Sequence, residues 1–300
     1  MVDLSLVSLV KIKNSDIKNA IKESLELISY EFSKDIHNIV IKPNLCYYWD
    51  YSTGQTTNPR FIAELIELIN ENLSKHVNIS IVESDASAMI CKYAFRMLGY
   101  EKLAEKYNVK LVNLSKESCN PVQVTVREKV FRFMVPKIIL EADLKINVPK
   151  IKYTMRGIEL TCALKNIYGC NPYPKKFKYH GILAETIVAL NKIMRFDLCI
   201  IDGYIVSGIH PRKLGLVIAG QDPVAIDAAA AEIAGLNPKK IKYLRLAEKE
   251  GIGRISYIPR GVPISYFKSR YPRKDFKKRL MGKAYAVLLL TGLGKKLGLQ

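Results

Sequence analysis

Lysines, asparagines and carboxylates stand where apolar, strand-like runs stop. Ile39-Val40-Ile41 passes into Lys42-Pro43-Asn44, Leu144 to Val148 into Pro149-Lys150-Ile151-Lys152, and Leu216 to Ala219 into Gly220-Gln221-Asp222-Pro223. In open α/β sheets ligands bind outside the carboxyl ends of the strands, so polar groups gathered at such ends form a floor facing one crevice. Ammonium and amide groups suit an anion. They do not by themselves name a reaction.

Pro43 turns the chain out of its sheet and leaves Lys42 and Asn44 at the strand's mouth. The loop behind them holds Tyr47, Tyr48, Trp49 and Tyr51, then Gly54, Thr56 and Thr57, before a helix opened by Asn58-Pro59. Its hydroxyls, free backbone amides and helix start make a cradle for phosphate or carboxylate. A tight loop whose aromatics cover the core is the plainer reading. Lys150 and Lys152, two residues apart, share one face if the strand continues.

Glu159 to Tyr168 reads as a helix that sets Thr161 and Lys165 one turn apart, with Asn166 beside them and Gly169 as its left-handed stop. Lys165 lies between Cys162-Ala163-Leu164 and Ile167-Tyr168, a costly place for an ammonium unless it is paired or lines a cavity. A lysine snorkelling at the helix rim is the bland alternative. The sharper expectation is a desolvated amine with a lowered pKa, acting as a base or holding developing negative charge.

His180, following Lys175, Lys176 and Lys178 near a helix start, is a second catalytic candidate, and Asp202, at a strand end before Gly203, a third. Asp222 reads either as a ligand contact or as the cap of the helix that Pro223 begins. Glu83, Asp85 and Asp202 also have the chemistry for a divalent ion.

The elements that must position these groups alternate. Leu4 to Ile12 predicts a strand, Ser15 caps a helix with Ile17, Ile21, Leu25 and Ile28 on one face, and the Ile39 strand and the Pro59 helix follow. Val77 to Val82, a helix around Tyr93 to Tyr107, and Val109 to Leu114 continue the pattern. Pro121 to Phe133 alternates like an antiparallel hairpin at a sheet edge. Strands at Asp143, Asp197 and Leu214 then alternate with helices at Leu183 and Pro223. This order predicts a mainly parallel, twisted α/β sheet with helices on both faces, a hairpin insertion and a basic C-terminal helical tail. The α/β body is read as residues 1–262, with the motifs in 38–236, and the basic amphipathic tail as 263–300.

Of 300 residues, 49% are hydrophobic and 25% charged, ordinary for a folded globular chain. Net charge is +19, and residues 268–300 hold ten Lys and Arg against the single Asp275. That balance favours anionic partners, whether small metabolites, nucleic acid or an anionic membrane surface reached through residues 268–300. Asp3 and the lack of an early basic residue argue against a secretory signal, and Ala284 to Leu290 falls far short of the roughly 20 residues a spanning helix needs, so a cytosolic location is expected. The six cysteines form no Cys-x-x-Cys pair, so no iron-sulfur cluster is expected and reduced thiols are.

Taken together, Lys42-Pro43-Asn44, Glu83-Ser84-Asp85, Pro149-Lys150-Ile151-Lys152, Thr161 with Ala163-Leu164-Lys165-Asn166 and Gly169, Asp202-Gly203, and Gly220 with Asp222-Pro223-Val224-Ala225-Ile226-Asp227 resemble the domain-of-unknown-function 362 family over about residues 38 to 236. The resemblance implies an uncharacterised α/β protein, some of whose relatives are fused to ferredoxin-like iron-sulfur segments. This chain lacks such a cysteine cluster, has Tyr153-Thr154 where many members have Thr-His, and has His210-Pro211 where Gly-Pro is common. These departures remove the electron-transfer inference and any histidine mechanism at position 154; His180 or His210 are the substitutes on offer.

The combined expectation is a crevice lined by Lys42, Asn44, Thr56, Thr57, Lys150, Lys152, Thr161, Lys165, Asn166, Asp202 and Asp222 that binds a phosphorylated or carboxylated small molecule. Isomerisation or group transfer would fit it. The competing expectation is a nucleic-acid binder that uses the tail and the Tyr47-Tyr48-Trp49 loop without catalysis.

Overall fold

A computed structural model describes residues 4–73, 77–154 and 158–272. Among them are strands β1 (Ser5–Lys11), β2 (Asn38–Pro43), β3 (Asn78–Glu83), β4 (Lys110–Asn113), β5 (Cys119–Val126), β6 (Lys129–Pro136), β7 (Leu144–Val148), β8 (Lys152–Tyr153), β9 (Leu160–Thr161), β10 (Leu198–Val206), β11 (Arg212–Gly220) and β12 (Tyr257–Gly261). Eight form one sheet in the order β12-β1-β11-β10-β7-β2-β3-β4. All neighbours in it are parallel except at β11, which runs against both β1 and β10.

Alternation along the strands divides the core in two. Ile39, Ile41, Ile79 and Ile81 enter one cluster with the helices Ile17–Glu26 and Pro59–Asn72, whereas Val40 and Val82 enter the other with the helices Leu183–Met194 and Pro223–Ile233. Both faces are therefore covered, as a parallel sheet requires. No helix of the described residues is long and apolar enough to cross a membrane.

Several local expectations change. Asp16, not Ser15, caps the first helix, because Ser15 has a positive φ and the Asp16 carboxylate accepts from the Asn19 amide. The expected Tyr93 to Tyr107 helix is two, Cys91–Met97 and Tyr100–Tyr107, parted by Gly99 at φ +83°. The β5–β6 hairpin is a separate two-stranded sheet, and Phe131, Phe133 and Val135 carry it onto the core containing the Leu183–Met194 helix instead of onto a sheet edge. Phe267 and Tyr271 are buried in that core, so residues 263–272 pack with the body. The rest of the tail, 273–300, lies outside the described residues.

The largest change concerns β11. Only Ser207 to Pro211 separate it from β10, too few for the crossover a parallel pair needs, so the two strands form a hairpin. The end of β11 consequently points to the opposite edge of the sheet from the ends of β2, β3 and β7.

Candidate functional site

The carboxyl ends of β2, β3 and β7, with the far half of β10, gather five lysines. Two of them are neutralised. Lys42 Nζ lies 2.7 Å from Glu83 Oε2 and donates to the Pro43 carbonyl at 2.6 Å. Lys150 Nζ lies 3.1 Å from Asp202 Oδ2 and donates to the Ile205 carbonyl at 2.8 Å. All four side chains are buried. Burial pulls the Lys150 pKa down and Asp202 opposes it.

Asp202 does not end its strand, since β10 runs on to Val206. Its carboxylate accepts from the amides of Asn58 at 2.8 Å and Tyr204 at 3.0 Å as well as facing Lys150. Asp202 thus locks the Asn58 helix start to the sheet. It has no free oxygen facing a ligand in the way a general base would.

An amide chain joins the strands between these pairs. Asn166 Nδ2 donates to Asn147 Oδ1 at 2.8 Å, and Asn44 Nδ2 donates to Asn166 Oδ1 at 2.9 Å. Thr57 Oγ1 accepts from the Asn44 amide and donates to the Val148 carbonyl. Asn44 Oδ1 and the Thr56 hydroxyl are buried and have no hydrogen-bond partner among the described residues.

Lys165 sits on a short helix, Ala163–Ile167; Thr161 belongs to β9 and pairs in register with Lys152, so these two residues are not one helical turn apart. The helix is anchored from behind by Asp227, whose carboxylate accepts from the amides of Ala163 at 2.6 Å and Leu164 at 3.3 Å and from Tyr243 OH at 3.0 Å. Complete burial pushes the Asp227 pKa up to about 7 against these hydrogen bonds. Gly169 does not adopt a left-handed turn. It is there for space: a Cβ would lie 3.1 Å from both Lys42 Nζ and Glu83 Oε1.

Lys152 and Lys165 lack any carboxylate partner among the described residues. Lys152 is buried and donates to the Gln55 carbonyl at 2.8 Å. Burial brings its pKa down to about 8, with the Cys46 sulfur opposing and the Lys165 and Lys150 ammoniums reinforcing. Lys165 is partly exposed and has neither hydrogen bond nor ion pair among the described residues; loss of water around its ammonium lowers its pKa, again against Cys46. Lys176 completes the five, donating to Ser84 Oγ at 2.5 Å and the Asp85 carbonyl at 2.7 Å, its pKa lowered by burial to about 8.

Two expected members stand apart. His180 is exposed and makes no hydrogen bond or ion pair among the described residues. Asp222 sits at the opposite edge, where its carboxylate caps the Pro223 helix through Val224 and Ala225 and accepts from Ser5 Oγ and the Arg254 amide. No group of three or more His, Cys, Asp or Glu gathers as metal ligands among the described residues, and Asp85 is engaged by the Cys91 amide and Asn113 Nδ2. Glu83, Asn147, Gln55, Cys46, Lys176 and Asp227 join the network without having been placed in the crevice from sequence. Asn147 carried a signal, a lone amide inside an apolar strand.

The chain is 24% identical over 234 residues to a thylakoid-associated protein of Synechocystis sp., a match covering 74% of this chain and 70% of that protein. The lactate racemase apoprotein from Thermoanaerobacterium thermosaccharolyticum superposes with a TM-score of 0.45 at 14% identity, covering 79% of this chain and 58% of that one. A family profile described as Domain of unknown function (DUF362) matches residues 39–232, which takes in all five lysines and both ends of the Asp227 anchor, and the chain belongs to that family.

Proposed function

We propose that the lysine cluster is the binding site of an enzyme acting on a small anion, a phosphorylated or carboxylated molecule, and that Lys165 is the group that meets it. One observation carries this reading: Lys152 and Lys165 are neighbouring cations with no carboxylate partner among the described residues, whereas Lys42 and Lys150 each have one. Holding unneutralised ammoniums out of water is costly unless a ligand supplies the charge. Lys165 keeps the exposure a ligand contact needs, and Lys152 stands behind it as a fixed positive charge.

The chemistry follows from the lowered pKa values. A lysine whose pKa is lowered by loss of water gives up its proton more readily and so serves better as a base, and in its charged form it holds an oxyanion as negative charge develops. Proton-transfer isomerisation and group transfer both draw on these two roles. Asp227 has a positioning role, since it fixes the helix that presents Lys165.

The test is a calorimetric screen of phosphorylated and carboxylated small molecules against wild type, Lys165→Met and Lys152→Met. A ligand of the wild type is expected to lose about ten- to a hundredfold in affinity in each variant, the value of one or two charge-assisted contacts. Undiminished binding by Lys165→Met overturns the assignment.

A further inference from the structure

A second feature of the same end of the molecule stands independently of what the lysines bind. Three segments adjoin there: the loop after β2, the turn and helix after β3, and the stretch around Tyr173. The Ile90 amide donates to Tyr48 OH at 2.9 Å, joining the first to the second, and Ser87 Oγ donates to the Pro174 carbonyl at 3.3 Å, joining the second to the third.

Each segment leaves large apolar side chains in water. Tyr47 and Trp49 are about half exposed, Ile90, Tyr93 and Met97 reach 52%, 48% and 65%, and Phe177 reaches 59%. A group of this kind on adjoining segments is more than a folded monomer ordinarily exposes by accident. The ionisable residues interleaved with it are mostly basic. Helix Cys91–Met97 presents Lys92 and Arg96 beside Tyr93 and Met97 and no acid, and the third segment presents Lys175 and Lys178. Lys178 Nζ lies 3.6 Å above the centre of the Tyr173 ring, a cation held at an aromatic surface. Asp50, in the first segment, is exposed, and its carboxylate accepts from the Ser52 amide, while Glu101 sits 3.2 Å from Arg96.

We propose that this end docks on an anionic lipid surface, with Trp49, Ile90, Met97 and Phe177 entering the headgroup boundary and Lys92, Lys175 and Lys178 meeting lipid phosphates. Aromatic and aliphatic side chains mixed with lysine are the composition of interfacial membrane binding. A nucleic acid has use for the lysines and the rings but none for Ile90 and Met97. The Tyr47 and Trp49 rings also lean on each other, 5.2 Å apart at 53°.

Trp49 is the single tryptophan of the chain, so its fluorescence reports this end and no other. The full-length protein is mixed with vesicles of phosphatidylcholine alone and of phosphatidylcholine with phosphatidylglycerol. Emission is expected to move to the blue and to be quenched by brominated acyl chains with the anionic vesicles, and the effect to weaken as salt is raised. Met97→Ser combined with Phe177→Ser, both at exposed positions, should weaken partitioning at least about tenfold while the basic tail remains in place. Vesicle binding that leaves Trp49 unshifted and unquenched would assign the contact to another part of the chain and overturn the proposal. So would an absence of vesicle binding, or a Trp49 response to an RNA oligonucleotide without one to vesicles.

Discussion

Lys42 and Lys150 differ from Lys152 and Lys165 in one respect that decides what each pair does. The first two emerge where a neighbouring strand supplies an acid within reach, Glu83 of β3 beside Lys42 and Asp202 of β10 beside Lys150. The second two emerge from the β8–β9 hairpin and the short helix that follows it, where the Cys46 sulfur opposes the lowering of both pKa values. Of these four lysines, then, two are neutralised within the fold and two have no carboxylate partner among the described residues. A buried lysine is thus not a functional signal until its counter-charge has been counted.

Breaking a neutralised pair should have the largest effect. Glu83→Gln strands the Lys42 ammonium in the interior, and an uncompensated buried charge costs about 3–5 kcal/mol. Denaturant unfolding should show that loss, and a change below about 1 kcal/mol would mean that the pair is solvated or dispensable. Next comes the anchor. Asp227→Ala leaves the Ala163 amide and Tyr243 OH without their acceptor in the core, at an expected cost of about 2–3 kcal/mol. The variant should also bind the ligand of Lys165 more weakly, because the helix that carries Lys165 loses its fixed start.

The unneutralised half predicts an effect of opposite sign. Lys152 has a folded pKa of about 8 against 10.5 as a free side chain, so below pH 8 the folded state carries the full penalty of a buried ammonium. Between pH 8 and 10.5 the unfolded chain binds more protons than the folded one, and stability rises with pH. Lys152→Met removes the penalty. The variant should be more stable than wild type at pH 7, and the difference should shrink as pH is raised through 8 toward 10. A difference that grows with pH would reverse the account. Lys165→Met should have the smallest effect on stability, leaving the thermal midpoint unchanged or slightly raised, because no hydrogen bond or ion pair among the described residues is lost with it. A clear fall in the midpoint would make Lys165 a structural residue.

Much of this arrangement was legible in the sequence because apolar runs and helix caps are local. The Ile39, Ile79 and Leu144 strands, the Asn58-Pro59 helix start and the Lys-Asn-rich ends required only periodicity and turn chemistry. Strand direction is not local in that way. Nothing within Leu216 to Ala219 says that it runs backwards, although the short connection from Val206 to Arg212 does, and that connection moves Asp222 to the far edge. Pairing is less local still. Lys42 meets Glu83 only because β2 and β3 are neighbours in the sheet, and Asp227 reaches Ala163 across 64 positions of chain, so neither contact can be read from spacing. His180 attracted notice as an ionisable residue beside lysines, but the backbone turns its neighbour Lys176 inward and leaves the imidazole in water.

The central claim is that Lys152 and Lys165 are held as unneutralised cations for an anion to complete. Their proton titrations, followed by NMR of ¹³Cε-labelled lysine and assigned with Lys152→Arg and Lys165→Arg, test it most directly. The Lys152 and Lys165 resonances are expected to titrate below the ordinary lysine value and to move back up when a binding phosphorylated or carboxylated compound is added. Ordinary titration of every lysine, unchanged by any anion, would contradict it.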